Sequence, residues 1–269
     1  MDGVGENSEA ILTTYFMEAS PELYGSECRP LILLSPGGAY RFTSDREAEP
    51  VALSLNAMGF HVAVLRYTCA PARFPQALLE LAESMRLLKK QAQRWNIDKD
   101  KIILMGFSAG GHLTACLGSF WQDDWLLKML GADKEELRPF GQILCYPVIS
   151  SSTFAHAESF RNLLGDEASE ALLKKVSLED QVHEGTPPTF LWHTQSDPTV
   201  PVENSLRYVQ ALQEHKIPCE FHMYPVGEHG LSTAGEFTRR SDGAKLQPEC
   251  ESWLSLLNIW LTSLCRNAS

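Results

Sequence analysis

A serine hydroxyl is a weak nucleophile at neutral pH unless an imidazole takes its proton and a carboxylate orients the imidazole. The run Gly106-Phe107-Ser108-Ala109-Gly110 offers a candidate serine. It follows the apolar stretch Ile102-Ile103-Leu104-Met105 and opens a segment rich in small residues. This is the strand-turn-helix setting of a nucleophile elbow. Such a turn forces strained dihedrals on the serine. Gly106 and Gly110 would keep Cβ atoms out of the corner, and the helix N-terminus would favour developing negative charge. Five residues alone are a modest signal, because a glycine-rich turn with an idle serine has the same composition.

Three further segments repeat the pattern of an apolar run ending in polar residues. Leu33-Leu34-Ser35 leads into Pro36-Gly37-Gly38-Ala39-Tyr40. Acyl transfer needs amide donors aimed where an oxyanion forms, and the N–H groups of Gly38, Ala39 and Ala109 are the natural candidates. Phe190-Leu191-Trp192-His193-Thr194 leads to Asp197, and Phe221-His222-Met223-Tyr224 leads to His229. Ser108, Asp197 and His229 thus each follow a candidate strand, at the edge where open α/β sheets place their sites. Asp180 and Glu203 are weaker acids for the role, since neither directly ends an apolar strand. Glu228 is read as facing solvent or the pocket. His222 falls inside a strand, His112 inside the elbow helix, and His193 is read as a packed core residue. No His-x-x-x-His or His-Glu-x-x-His spacing occurs, so metal-assisted hydrolysis lacks a ligand set and no cofactor is expected.

The elements that must hold these residues follow from periodicity. Strands are expected over 11–16, 31–35, 61–66, 101–106, 142–146, 189–194 and 220–224, and helices over 46–58, 75–95, 109–118, 202–215 and 250–265. The strands lack polar alternation, as expected when both faces of a mostly parallel sheet are covered by helices. Leu78, Leu81, Met85 and Leu88 form one core-facing stripe, and Trp253, Leu256, Leu257 and Trp260 another. Stretches near 119–140 and 150–187 break the rhythm and read as insertions that could wall a pocket, the second with helical patches at 160–164 and 167–176. Residues 1–269 are expected to form a single α/β domain.

With 44% hydrophobic and 21% charged residues the chain is composed like a globular protein. A net charge of −11 disfavours nucleic acid and anionic membranes as partners. The seven cysteines include no Cys-x-x-Cys and read as reduced thiols. Residues 1–9 lack a signal-peptide pattern, and no apolar run is long enough to span a membrane, so a cytoplasmic location is expected. Asn267-Ala268-Ser269 fits the glycosylation pattern and is taken as chance at a chain end.

Together, residues 35–40, Ser44-Asp45-Arg46-Glu47-Ala48-Glu49-Pro50, residues 106–112, Pro187-Pro188-Thr189-Phe190, Ser196-Asp197 and Glu228-His229-Gly230 resemble the bacterial carbohydrate-esterase branch of the α/β-hydrolases, acetylxylan-esterase-like or lipase/esterase-like proteins. The likeness runs over about 10–265. It implies a three-layer α/β/α sandwich and a Ser108-His229-Asp197 triad without cofactor or metal. It implies an oxyanion hole of Gly38, Ala39 and Ala109, and hydrolysis of short acyl esters such as acetyl groups on xylan fragments or other sugars. One departure is visible: many relatives carry His-Gly-Gly-Gly at the oxyanion loop, where this chain has Pro36-Gly37-Gly38-Ala39. Tyr40, Tyr146 and Trp121 are candidate pocket walls whose rings would suit a sugar, and they are equally well explained as core aromatics. The expected partner is a small-molecule or oligosaccharide ester, with self-association left open. An arylformamidase, a peptidase, a lipase or a non-catalytic binding protein on the same fold remain alternatives.

Overall fold

The computed structural model of the protein describes residues 8–23, 25 and 28–266. Residues 1–7 and the tripeptide 267–269, on which parts of the terminal readings rest, lie outside the described residues. Seven strands form one sheet: β1 (Ile11–Tyr15), β2 (Arg29–Ser35), β3 (His61–Arg66), β4 (Ile97–Phe107), β5 (Gly141–Cys145), β6 (Thr189–Thr194) and β7 (Cys219–Tyr224). Their spatial order is β1-β3-β2-β4-β5-β6-β7. Only β1 is antiparallel, paired along β3 at the edge; every other pairing is parallel.

The sheet is covered on both faces, and β2 shows why. Leu31 and Leu33 point into one core with Leu104, Leu144 and Leu191. Ile32 and Leu34 point into the other with Ile103, Ile143 and Trp192. A fully buried side chain of this size contributes about 2 kcal/mol, so a strand apolar on both faces is stable only between two layers of helices. The first layer holds α2 (Gln76–Lys90), α3 (Ser108–Phe120) and α8 (Glu203–Glu214); the second holds α1 (Glu49–Ala57) and α9 (Ser252–Arg266). Leu78, Leu81, Met85 and Leu88 on α2 are all buried. On α9, Trp253 stacks on Trp192 of β6, with ring centroids 5.2 Å apart and planes at 19°.

The insertions are helical. Residues after α3 form α4 (Asp124–Leu130) and α5 (Lys134–Leu137), and those after β5 form α6 (Ala157–Leu164) and α7 (Glu170–Lys175). Short length hid the first pair from periodicity. Asp133 and Glu136 hold α5 by a reciprocal capping box, a local polar signal rather than an apolar one. The helix expected from 75 stops at Lys90, where the chain turns to enter β4. That expected from 46 begins as a single 3-10 turn, Asp45–Glu47, followed by α1.

Because β2 and β4 to β7 are parallel, their C-terminal ends share one edge. Register pairs Ser35 with Gly106, Phe107 with Cys145, Cys145 with Trp192 and Thr194 with Tyr224. The chain runs from β2 outward to β3 and back over β2 to β4, so the sheet order reverses between β2 and β4. A cleft is expected at that switch point.

Candidate active site

Ser108 opens α3 directly after β4 and has φ 51°, the left-handed region that a non-glycine residue adopts only when its surroundings enforce it. The enforcement is steric. A Cβ on Gly106 would lie 2.1 Å from the Gly110 carbonyl oxygen, and one on Gly110 would lie 2.1 Å from that of Ser35. The two glycines let the turn fold down against the end of β2. The Ser108 carbonyl accepts from the Val148 N–H at 3.1 Å, which ties the turn to the segment after β5.

His229 Nε2 lies 2.7 Å from Ser108 Oγ, and His229 Nδ1 lies 2.7 Å from Asp197 Oδ2. The structure therefore brings together Ser108, Asp197 and His229, three residues from three loops at one sheet edge. Asp197 follows β6 in a turn where its Oδ1 accepts the N–H groups of Thr199 and Val200 at 2.8 and 2.9 Å. Burial by itself would raise the Asp197 carboxyl, but hydrogen bonds from His193 and His229 hold it well below the ordinary carboxylate range. The Asp197 and His229 loops are joined through Gly227, whose carbonyl accepts from Thr194 Oγ1 at 2.9 Å and whose N–H donates to Ser196 Oγ at 3.0 Å.

The oxyanion candidates lie across the switch point. Gly38 has φ 135°, and Ala39 and Tyr40 have φ 55° and 57°. The chain thus curls around the serine, with an alanine in a conformation usually left to glycine. Among the described residues the N–H groups of Gly38 and Ala39 enter no hydrogen bond, and that of Ala109 lies in the first turn of α3, where an amide has no intrahelical acceptor. The Gly37 N–H differs: it donates to Glu47 Oε2 at 2.8 Å. Asn162 on α6 donates to the Ala39 carbonyl at 2.9 Å, so the second insertion braces this loop.

The structure places the three expected pocket walls in the interior. Tyr40, Tyr146 and Trp121 are 3%, 1% and 6% exposed, and their polar atoms are spent inside the protein. The Tyr40 hydroxyl donates to His112 Nδ1 at 2.9 Å, because His112 Nε2–H donates to the Val176 carbonyl at 2.8 Å. The Tyr146 hydroxyl donates to Glu47 Oε1 at 2.7 Å. Trp121 follows the C-terminal end of α3, away from Ser108. It lines a cavity of about 710 Å³ with Phe140, Pro188 and Pro218, which precede β5, β6 and β7. That is the opposite edge of the sheet.

Four residues near the site carried no assigned role in the sequence. His193 is buried as expected, yet its Nε2 also reaches Asp197 Oδ2 at 3.3 Å. Arg46 and Glu47 sit in the motif after the candidate oxyanion loop. His156, at the start of α6, is half-buried, and its imidazole is pushed down by burial and by the charge of His229 across the site. A signal was present for Arg46 and Glu47, two charged residues just before an apolar helix. Nothing local marks His156. Among the described residues no group of three His, Cys, Asp or Glu side chains could hold a metal ion, and no helix is long and apolar enough to cross a membrane.

A mostly parallel sheet reversed at β2 and β4, with a serine in a strand-turn-helix elbow, defines the α/β-hydrolase class. The chain belongs to the BD-FAE family, whose model matches residues 20–212. It is 37% identical over 214 residues to endo-1,4-beta-xylanase B of Butyrivibrio fibrisolvens, covering 77% of this chain and 33% of that protein. It is 30% identical over 202 residues to an acetylxylan esterase of Xylanibacter ruminicola, covering 73% of this chain and 40% of that one. The chain thus spans well under half the length of these two relatives. Among solved structures it resembles an acetyl ester-xyloside bifunctional hydrolase from Caldicellulosiruptor lactoaceticus, with a TM-score of 0.80 and 37% identity over 94% of this chain and 87% of that one.

Proposed function

We propose that this protein is a serine carboxylic-ester hydrolase that removes short acyl groups, above all acetyl, from sugars such as xylan oligosaccharides. The observation that carries the reading is the hydrogen-bonded chain from Ser108 Oγ through His229 to Asp197, beside the unpaired amides of Gly38 and Ala39. The names of the similar proteins, an acetylxylan esterase and an acetyl ester-xyloside hydrolase, support the acetyl-sugar substrate class. The single sheet supports treating the chain as one catalytic domain. The buried thiols of Cys116, Cys145 and Cys250 support a reducing, cytoplasmic setting.

In this mechanism His229 Nε2 takes the Ser108 proton as Oγ attacks the ester carbonyl. The tetrahedral oxyanion accepts hydrogen bonds from the amides of Gly38, Ala39 and Ala109. His229 then protonates the departing sugar oxygen, leaving an acyl group on Ser108. Water, deprotonated by the same imidazole, attacks that acyl group and releases the carboxylic acid. Asp197 holds Nδ1–H throughout and stabilises the imidazolium without taking its proton.

The test is an activity panel of p-nitrophenyl esters from acetate to decanoate with acetylated xylo-oligosaccharides, run on the wild type and on Ser108→Ala. A steep preference for acetate, sugar deacetylation and a dead Ser108→Ala variant are expected. Turnover of N-formylkynurenine or aminoacyl amides in place of esters would overturn the substrate class. A wild type that Ser108-directed fluorophosphonate fails to label would overturn the enzyme reading itself.

A further inference from the structure

Glu47 is 3% exposed and lies in the single 3-10 turn that follows the oxyanion loop. Its Oε2 accepts the Gly37 N–H at 2.8 Å, and its Oε1 accepts the Tyr146 hydroxyl at 2.7 Å. Tyr146 has one proton to give. Its oxygen already accepts the Ser232 N–H at 2.8 Å, so the proton goes to Glu47. With both oxygens accepting, Glu47 is a carboxylate. Among the described residues no cation lies within ion-pair distance of it, and its hydrogen-bond donors are neutral. Burying a carboxylate among neutral donors lowers stability relative to an apolar side chain of the same size. Packing therefore does not account for it.

The neighbouring arginine does not neutralise Glu47. Arg46 donates to the backbone carbonyls of Thr238, Gly230 and Leu231 at 2.6, 2.8 and 3.5 Å. The Arg46 carbonyl in turn accepts from Ser232 Oγ at 2.6 Å. Arg46 and Glu47 thus touch two loops at once. On one side is Gly37, directly before the oxyanion donor Gly38. On the other are residues 230–232, directly after His229. A Cβ at Gly37 would lie 2.7 Å from Glu47 Oε2 and 3.0 Å from Ser108 Cβ, so the glutamate, the loop and the nucleophile pack as one unit. The Tyr146 ring also meets the His229 ring edge-on, with centroids 5.1 Å apart.

We propose that Glu47, anchored through Arg46, is a positioning residue that fixes the oxyanion loop and the histidine loop relative to one another. This rests on the esterase reading above. In acyl transfer the oxyanion donors and the proton acceptor must act on one carbonyl in the same transition state. The Gly38 and Ala39 donors and His229 reside on loops more than 180 residues apart in the chain, as the span from Arg46 to Gly230 illustrates. A carboxylate is suited to the linkage because, unlike its uncharged isostere glutamine, it can accept at both ends. Glutamine offers one acceptor, so it either opposes its N–H to that of Gly37 or leaves the Tyr146 proton without an acceptor.

The experiment measures kcat and KM for p-nitrophenyl acetate on the wild type, Glu47→Gln and Tyr146→Phe, each checked for folding by thermal melting. Glu47→Gln should lower kcat about 10- to 100-fold, less than the roughly 100- to 1000-fold for outright removal of an oxyanion donor because the donors are displaced and not lost, while KM stays within about 3-fold. Tyr146→Phe keeps the ring and removes only the hydroxyl bridge from Glu47 to the Ser232 N–H, leaving the Arg46 contacts to the histidine loop intact, so it should lower kcat by a smaller factor, again with KM nearly unchanged. A folded Glu47→Gln variant with wild-type kcat, or with its loss confined to KM, overturns the assignment. Should Glu47→Gln not fold, a folded Tyr146→Phe variant with wild-type kcat overturns it instead. A wild type that neither turns over the ester nor labels at Ser108 overturns the esterase reading and the assignment together, whereas an active wild type with an equally active Glu47→Gln variant overturns the assignment alone.

Discussion

The Nε2 atom of His193 lies 3.3 Å from Oδ2 of Asp197, and both side chains are sealed from solvent. The same Nε2 lies 3.1 Å from the Val200 carbonyl, and His193 Nδ1 lies 2.6 Å from Ser205 Oγ. Since a carboxylate and a carbonyl can only accept, Nε2 carries the proton and Nδ1 accepts from the serine. Asp197 therefore receives two backbone amides on one oxygen and two imidazoles on the other. The second imidazole gives the acid a fixed direction that His229 alone would not impose.

Replacing His193 by leucine should remove that brace and leave Ser205 without its acceptor. The loss expected for a buried hydrogen-bond partner is about 1–3 kcal/mol of stability. Asp197 has its carboxyl depressed in the folded state, so its contribution is present above the unfolded value and fades as pH falls toward the folded one. Urea unfolding of wild type and His193→Leu should therefore differ most near neutral pH and converge in strong acid. A constant difference across pH would count against the pairing.

His112 gives a second pH signature of a different kind. Burial pushes its imidazole down to about 4. The unfolded chain, with an ordinary histidine, binds more protons than the folded one between that value and about 6.5, so stability falls as pH drops through this window. The change expected is on the order of 3 kcal/mol. Denaturant midpoints at pH 7 and pH 4.5 should show it in the wild type, and His112→Leu should make the curve shallower, with His61, His156 and His193, whose imidazoles burial also pushes down, supplying the rest. If the variant follows the wild-type curve, another group is responsible.

Trp121 sits at the edge of the sheet opposite Ser108 and donates from Nε1 to the Gly185 carbonyl at 3.0 Å. Trp121→Ala should cost about 3–5 kcal/mol of stability, as large buried aromatics do on truncation. Its kcat/KM on small esters at permissive temperature should stay within about 3-fold of wild type. A selective rise in KM for xylo-oligosaccharides would return Trp121 to the substrate pocket.

Asn162 braces the proposed oxyanion loop through the Ala39 carbonyl. Asn162→Ala should leave that carbonyl to water and let the strained turn at Ala39 relax. A fall of about 10-fold in kcat, with KM little changed, is the expected result. Steady-state kinetics beside a melting curve would check it, and unaltered kcat would show that the loop holds its shape without α6.

Much of this architecture was legible from residues close together in the chain. All seven strands were placed, because an apolar run between turn residues is a local property. The Gly106-Phe107-Ser108-Ala109-Gly110 turn was legible for the same reason: its shape depends on which residues lack a Cβ within one tight corner. The strand-end positions of Asp197 and His229 followed from the same reading.

What the chain could not reveal locally is how buried polar atoms are satisfied. Tyr40 and Tyr146 look alike in sequence to pocket aromatics, and only their hydrogen bonds to His112 and Glu47 turn them inward. Glu47 reads as the start of a solvated helix until Gly37 and Tyr146 close on it. The Arg46 guanidinium finds its acceptor at Thr238, 192 positions away. Sequence spacing decided which chemistry the chain can carry. The tertiary structure alone decided which side chains hold that chemistry in place, because a buried polar group can be paired only by what the fold brings within hydrogen-bond reach of it.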